Sequence, residues 1–163
     1  SATDRHPEAS DRIADLRHWA ESLALMVSPV SPALLHRDFH PEPALIDGGR
    51  VWLIDLDLAA RGDRHIDLGN LLAHVTEFAT RRFGEPDALS PLARAFLDGY
   101  AEAGGRWSED RLQAMHDLSL LRHLDICGRI ADRAAAFPIL LDVLQGLSAD
   151  WRPVSPVHPW ASP

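Results

Sequence analysis

HRDFHPEPALIDGGRVWLIDLDLAARGDRHIDLGNLLAHV, running from His36 to Val75, is the stretch from which the rest of the chain is read. At its centre Asp47-Gly48-Gly49 separates two apolar runs, Ala44-Leu45-Ile46 and Val51 to Ile54. Glycines able to take positive φ between short β-prone runs predict a tight hairpin. From Asp67 onward the apolar positions recur at helical spacing, so the chain changes from extended to helical across Gly62-Asp63. Acidic and histidine side chains crowd this span, among them His36, Asp38, His40, Asp55, Asp57, Asp63 and Asp67. The preference of aspartate for turns and helix N-termini accounts for Asp63 and Asp67 by itself. It does not account for the whole set.

Outward from this block the pattern is helical. Ile13, Leu16, Trp19, Leu23 and Met26 mark a first helix over roughly residues 10 to 26, with Ser10 as its N-cap and Pro29 and Pro32 as its breakers. Four further helices are predicted within 67–83, 90–104, 108–130 and 137–147. Ser90 and Ser108 are suitable starts and Gly104-Gly105 a suitable stop. Residues 151–163 hold too many prolines for a helix and predict an extended tail, whose Trp151 and Trp160 are placed to dock on the core. Leu118, Leu121, Leu124 and Ile126 read as core, and Trp19, Trp52 and Trp107 as packing residues. His74, His116 and His123 read as surface or satisfied core histidines, and Cys127 as an inert buried thiol. The expected fold class is mainly α with one small β-hairpin.

Composition excludes several functions. The 163 residues are 46% hydrophobic, enough for one core, and the formal net charge is -8 with no basic run longer than Arg81-Arg82. Nucleic acid and anionic lipid surfaces are therefore not expected as partners. Cys127 is the single cysteine, which fits a reducing compartment. No apolar run is long enough to span a bilayer, and the polar N-terminal residues do not read as a signal peptide, so a cytoplasmic location is expected. All 16 basic residues are arginine; the chain contains no lysine.

Phosphoryl transfer needs one carboxylate to orient or deprotonate the attacking hydroxyl and another to hold Mg²⁺ against the nucleotide phosphates. Asp38, in the loop before the hairpin, and Asp55, after its second strand, are ordered for those two tasks. With the GDxxxDL motif that follows, the block resembles the aminoglycoside phosphotransferase and choline kinase-like family, whose members share a protein-kinase-like fold. The resemblance implies an ATP- and Mg²⁺-dependent transfer to a small-molecule hydroxyl. Asp38 would be the base and His36 a support of the loop. Asp55 would ligate Mg²⁺ with Asp57 beside it, His40 and Glu42 would lie near the nucleotide or substrate, and Asp67 would tie the following helix back to the loop.

The resemblance covers about residues 10 to 147, as a C-terminal lobe only. Residues 1–150 are expected to form that lobe, with a catalytic loop at 36–43, a hairpin at 44–55 and a helical subdomain at 66–147, followed by the tail. No Gly-rich loop and no lysine precede His36, so the N-terminal lobe is expected to be missing; Ser1-Ala2 reads as the cut end of a longer protein. The isolated chain is expected to have little or no kinase activity. Pro43 stands where the family has Asn or Gln, and proline offers neither a side-chain oxygen nor a backbone N–H. Glu42 or Asp57 would have to supply the lost oxygen.

Other readings compete. His36, Asp38 and His40 alternate along an extended segment and, with Asp55 or with His65 and Asp67, would make a metal-hydrolase centre. Asp55-x-Asp57 matches the short DxD string of nucleotide-sugar glycosyltransferases, without their α/β pattern. A pseudokinase-type domain that binds or scaffolds without transfer is the rival suggested by Pro43. Glu102, Asp125 and Asp132 on the helices would suit a cationic acceptor.

Overall fold

The computed structural model describes residues 6–25 and 31–150. Met26, Pro29, Trp151, Trp160 and the rest of the tail lie outside the described residues. Helix α1 spans Ser10–Leu25, α2 His65–Phe83, α3 Ser90–Glu102, α4 Glu109–Cys127 and α5 Phe137–Asp150. Short 3-10 turns at Pro7–Ala9 and Ala131–Ala136 lead directly into α1 and α5. Strands β1 (Ala33–Leu35), β2 (Ala44–Asp47), β3 (Arg50–Leu53) and β4 (Ala60–Gly62) complete the described chain. The molecule is mostly helical with a few short antiparallel strands.

The predicted hairpin forms by the expected chemistry. Gly48 and Gly49 sit at φ 54 and 76, and the register pairs Asp47 with Arg50 and Ala44 with Leu53. A second ribbon was not expected: β1 and β4 pair antiparallel, with Leu35 opposite Ala60 and Ala33 opposite Gly62. Its strands are three residues each, too short to show an alternation in sequence, and their partners are far apart along the chain. This ribbon encloses the stretch between the loop at His36 and the segment after Asp57, so both ends of the candidate site are gathered at one place.

The helical ends differ in detail from the expected caps. Ser10 is already helical, because the turn at Pro7–Ala9 runs straight into α1. Leu89, not Ser90, is the N-cap of α3, and the Ser90 hydroxyl donates to the Asp87 carbonyl at 2.8 Å. Ser108 holds the extended N-cap position of α4, but its side chain makes no capping bond. Gly104 does stop α3, at φ 85.

The main core joins Leu16, Trp19 and Leu23 of α1 to Leu120, Leu124 and Cys127 of α4 and to Leu140, Leu141 and Leu144 of α5. A second cluster packs Leu68, Leu72 and Val75 of α2 against Ala93 and Leu97 of α3 and Leu112 of α4. Leu118 and Leu121 only flank the main core, and Ile126 is half-buried. Helices α2 and α4 approach closely at Gly69, where a β-carbon would come within 2.6 Å of the backbone at Met115 and His116. Trp52 does not pack; it is 54% exposed on β3.

Candidate active site

The loop that carries Asp38 is held from below by α2. Asp67, in the first turn of that helix, accepts the backbone N–H of His36 at 2.7 Å and of Arg37 at 2.8 Å. Two charge-assisted bonds to one carboxylate fix the direction in which the loop leaves β1. Arg37 is thereby held at φ 72, an uncommon conformation for a residue with a β-carbon. His36 is buried, and its ring Nε2–H donates to the Ile54 carbonyl at 2.8 Å. Its Nδ1 is buried without a partner among the described residues. His36 therefore fastens the loop to the chain immediately before Asp55.

Asp55 itself sits at φ 61 and is exposed, as is Asp57. Neither carboxylate makes a hydrogen bond within the described residues, and an exposed, unengaged carboxylate is the kind of ligand a hard cation takes. Two left-handed non-glycine residues flanking one site are each worth about 1 to 3 kcal/mol of strain. Asp67 holds the Arg37 N–H, and the His36 ring holds the Ile54 carbonyl just before Asp55. Pro43 is buried, and its carbonyl accepts the Ile54 N–H at 3.0 Å, so it opens the hairpin at a position where no donor is needed. Glu42 next to it is exposed and lines a cavity on the α2 side.

Asp38 is half-buried. Arg122 of α4 donates to its Oδ1 at 3.2 Å, and His40 Nε2 stands 3.9 Å from its Oδ2. Asn70 of α2 donates to the Phe39 carbonyl at 2.9 Å, a second tether on the same loop. Behind His40 lies a ladder of imidazoles. His40 stacks on His74 at 4.6 Å between ring centroids, and His74 meets His123 edge-on at 4.3 Å. Burial first, then the positive charge of His40, Arg122 and Arg133, lowers the His74 pKa to about 4. Burial, followed by His74 and the same arginines, lowers His123 to about 3. His123 is fully buried with neither ring nitrogen partnered among the described residues, so it is not the satisfied core histidine expected. His116 does match that expectation, bonded to Thr76 and Asp117. Burial raises the Cys127 thiol to about 11, in keeping with an inert group.

Asp63 and His65 belong to a separate buried network. Asp63 Oδ1 meets the His65 ring at 2.5 Å, Arg111 donates to its Oδ2 at 2.5 Å, and the Ser108 N–H donates to His65 Nε2 at 2.9 Å. Burial pushes Asp63 up, but the bonds from His65 and Arg111 outweigh it and leave its pKa lowered. Among the described residues no three His, Cys, Asp or Glu side chains come together as a group that could hold a metal ion. The His36 ring is turned to Ile54, the oxygens of Asp67 are engaged by the loop backbone, and His65 is taken by Asp63 and Ser108.

Arg122, Asn70 and the imidazole ladder were missed in the sequence because their partners lie a helix or more away. Among the described residues no helix is long and apolar enough to cross a membrane. No curated protein and no solved structure matches the chain. The model of the phosphotransferase enzyme family matches residues 1–115, well over half of the sequence and including every residue from His36 to Asp67. With that match over the block whose loop His36 fastens to Ile54, just before the exposed Asp55, the chain belongs to the phosphotransferase enzyme family.

Proposed function

We propose that this chain is the kinase-like C-terminal lobe of an enzyme that transfers the γ-phosphate of ATP to a hydroxyl of a small molecule. The observation that carries the reading is the His36 clamp: its N–H is held by Asp67 and its ring holds Ile54, so Asp38 and Asp55 are fixed relative to one another. Asp38 accepts the proton of the acceptor hydroxyl as that oxygen bonds to the γ-phosphorus and the bond to the β-phosphate oxygen breaks, releasing ADP. Arg122 keeps the Asp38 carboxylate oriented. Bound Mg²⁺, held by Asp55 with Asp57 beside it, would neutralise charge on the transferred phosphate.

A nucleotide-covering lobe must come from elsewhere, since the chain has no lysine to contact phosphates. The exposed apolar faces of the hairpin and of the segment after it, Ile46, Val51, Trp52, Ile54 and Leu56, suit such cover. The isolated chain therefore turns over little or no ATP. Pro43 favours a rival reading in which the domain binds without transfer. ADP release by the full-length gene product, measured with a panel of hydroxylated acceptors, separates the two. Asp38→Asn lowers turnover by about 100-fold or more, and Asp55→Asn removes its Mg²⁺ dependence. Turnover unchanged by Asp38→Asn overturns the transfer reading.

A further inference from the structure

Beside His40 a cavity of about 290 Å³ opens between the loop, α2, α3 and the turn at Ala131–Ala136. Its apolar lining is formed by Pro41, Val75, Phe78, Leu89 and Leu92. Its polar lining comprises His40, Glu42, His74, Glu77, Arg81 and Arg133. The formal charges cancel, two glutamates against two arginines, but only Glu77 and Arg81 are paired with each other. Glu77 is buried and paired with Arg81 at 3.0 Å, and the same guanidinium lies over the Phe78 ring, 5.4 Å from its centroid. His74 is kept neutral by burial and by the surrounding positive charge. Arg133 is half-buried, and its side chain has no hydrogen bond or ion pair among the described residues. A guanidinium withdrawn from water without a partner is costly, and a planar carboxylate is the group that matches its paired donors. Glu42 at the rim opposes a second negative charge, which favours a monoanion over a phosphate dianion.

We propose that this cavity is the acceptor pocket and that it takes a hydroxylated monocarboxylate with a short hydrocarbon body, its carboxylate held by Arg133 and its chain lying along Phe78 and Leu92. The role as acceptor pocket rests on the phosphotransfer reading; the preference for a carboxylate stands on the cavity itself. Arg133 lies outside residues 1–115, in the part of the chain that the family match leaves unassigned. Glu102, Asp125 and Asp132, the residues that suggested a cationic acceptor, do not line this cavity, and Asp125 is paired with Arg129. His40 lies between the cavity and Asp38, so a hydroxyl at the loop end of the bound acid points toward the base.

The test is calorimetric binding of 3-hydroxyhexanoate, hexane-1,3-diol and 1-aminohexan-3-ol to the 163-residue chain without nucleotide. The acid is expected to bind about tenfold or more tightly than the diol, and the amine most weakly. Arg133→Gln reduces the acid to the level of the diol, while Arg133→Lys retains part of the difference. Equal binding of acid and diol, tighter binding of the amine, or an Arg133→Gln variant that binds the acid unchanged each overturns the proposal. Should Arg133→Gln lose its folded thermal transition, the wild type decides: the acid, and not the diol, must shift the ring resonances of His74 and Phe78. Acid that binds but is not phosphorylated by the full-length protein with ATP upholds the carboxylate site and overturns its role as the acceptor pocket, whereas the transfer reading falls only on the Asp38→Asn result. Phosphorylation of the amine without acid binding overturns the carboxylate site and upholds the transfer reading.

Discussion

A few side chains hold the site in shape, and Asp67 holds the most. Its two bonds to the loop backbone are charge-assisted, a class worth about 1.5 to 3 kcal/mol each. Asp67→Ala is expected to lower unfolding stability by about 3 kcal/mol in urea denaturation. Asp63 tests a different network. Its folded pKa lies below the ordinary 3.8, so its contribution is fully present above that value and is lost as pH falls through the lowered one. Asp63→Ala therefore costs about 3 kcal/mol near pH 7, because His65 and Arg111 lose a buried partner. That cost shrinks below about pH 4, which denaturation series at the two pH values will show. Pro43 was legible as a departure from the family pattern; its use was not. Its buried ring and its carbonyl bonded to Ile54 start the hairpin, a role visible only once β2 and β3 are paired.

Among the elements, the hairpin and the helices announce themselves by local chemistry. Gly48 and Gly49 take the positive φ that a two-residue turn requires, and the apolar stripe of α1 buries Leu16, Trp19 and Leu23 as its spacing predicts. The pairing of β1 with β4 carries no such signal, since three residues cannot establish a period and the register is set across the whole site. Helices α2 and α4 meet through an equally silent device. A β-carbon at Gly69 would lie 2.6 Å from the Met115 and His116 backbone, which is not free to move aside within α4. Gly69→Ala is expected to destabilise the fold by about 1 to 3 kcal/mol, despite the higher helix propensity of alanine. A fall in the urea midpoint with an unchanged m-value checks this; a rise in the midpoint would mean that the helices separate at no cost.

For the whole molecule, the imidazole ladder ties the site to the core and adds to the acid sensitivity that Asp63 also confers. As pH falls below 6.5 the unfolded chain protonates its histidines, while His74 and His123 resist until about pH 4 and about pH 3. The unfolded state thus binds more protons across that interval, and folding stability drops with pH. His123→Leu removes two buried nitrogens that have no partner among the described residues. Thermal melts at pH 7 and pH 4.5 are expected to show a smaller loss on acidification for His123→Leu than for wild type. The sequence alone determined what is local. Helical periods and the Gly-Gly turn follow from contacts between near neighbours, the order of Asp38, Asp55 and Asp67 is written along the chain itself, and the family match spans that block. The tertiary structure decided what depends on distant partners: Arg122 on Asp38, His74 against His123, and a half-buried Arg133 facing a cavity. Burial and charge balance are sums over neighbours that only the folded chain brings together, and no spacing along the chain reports them.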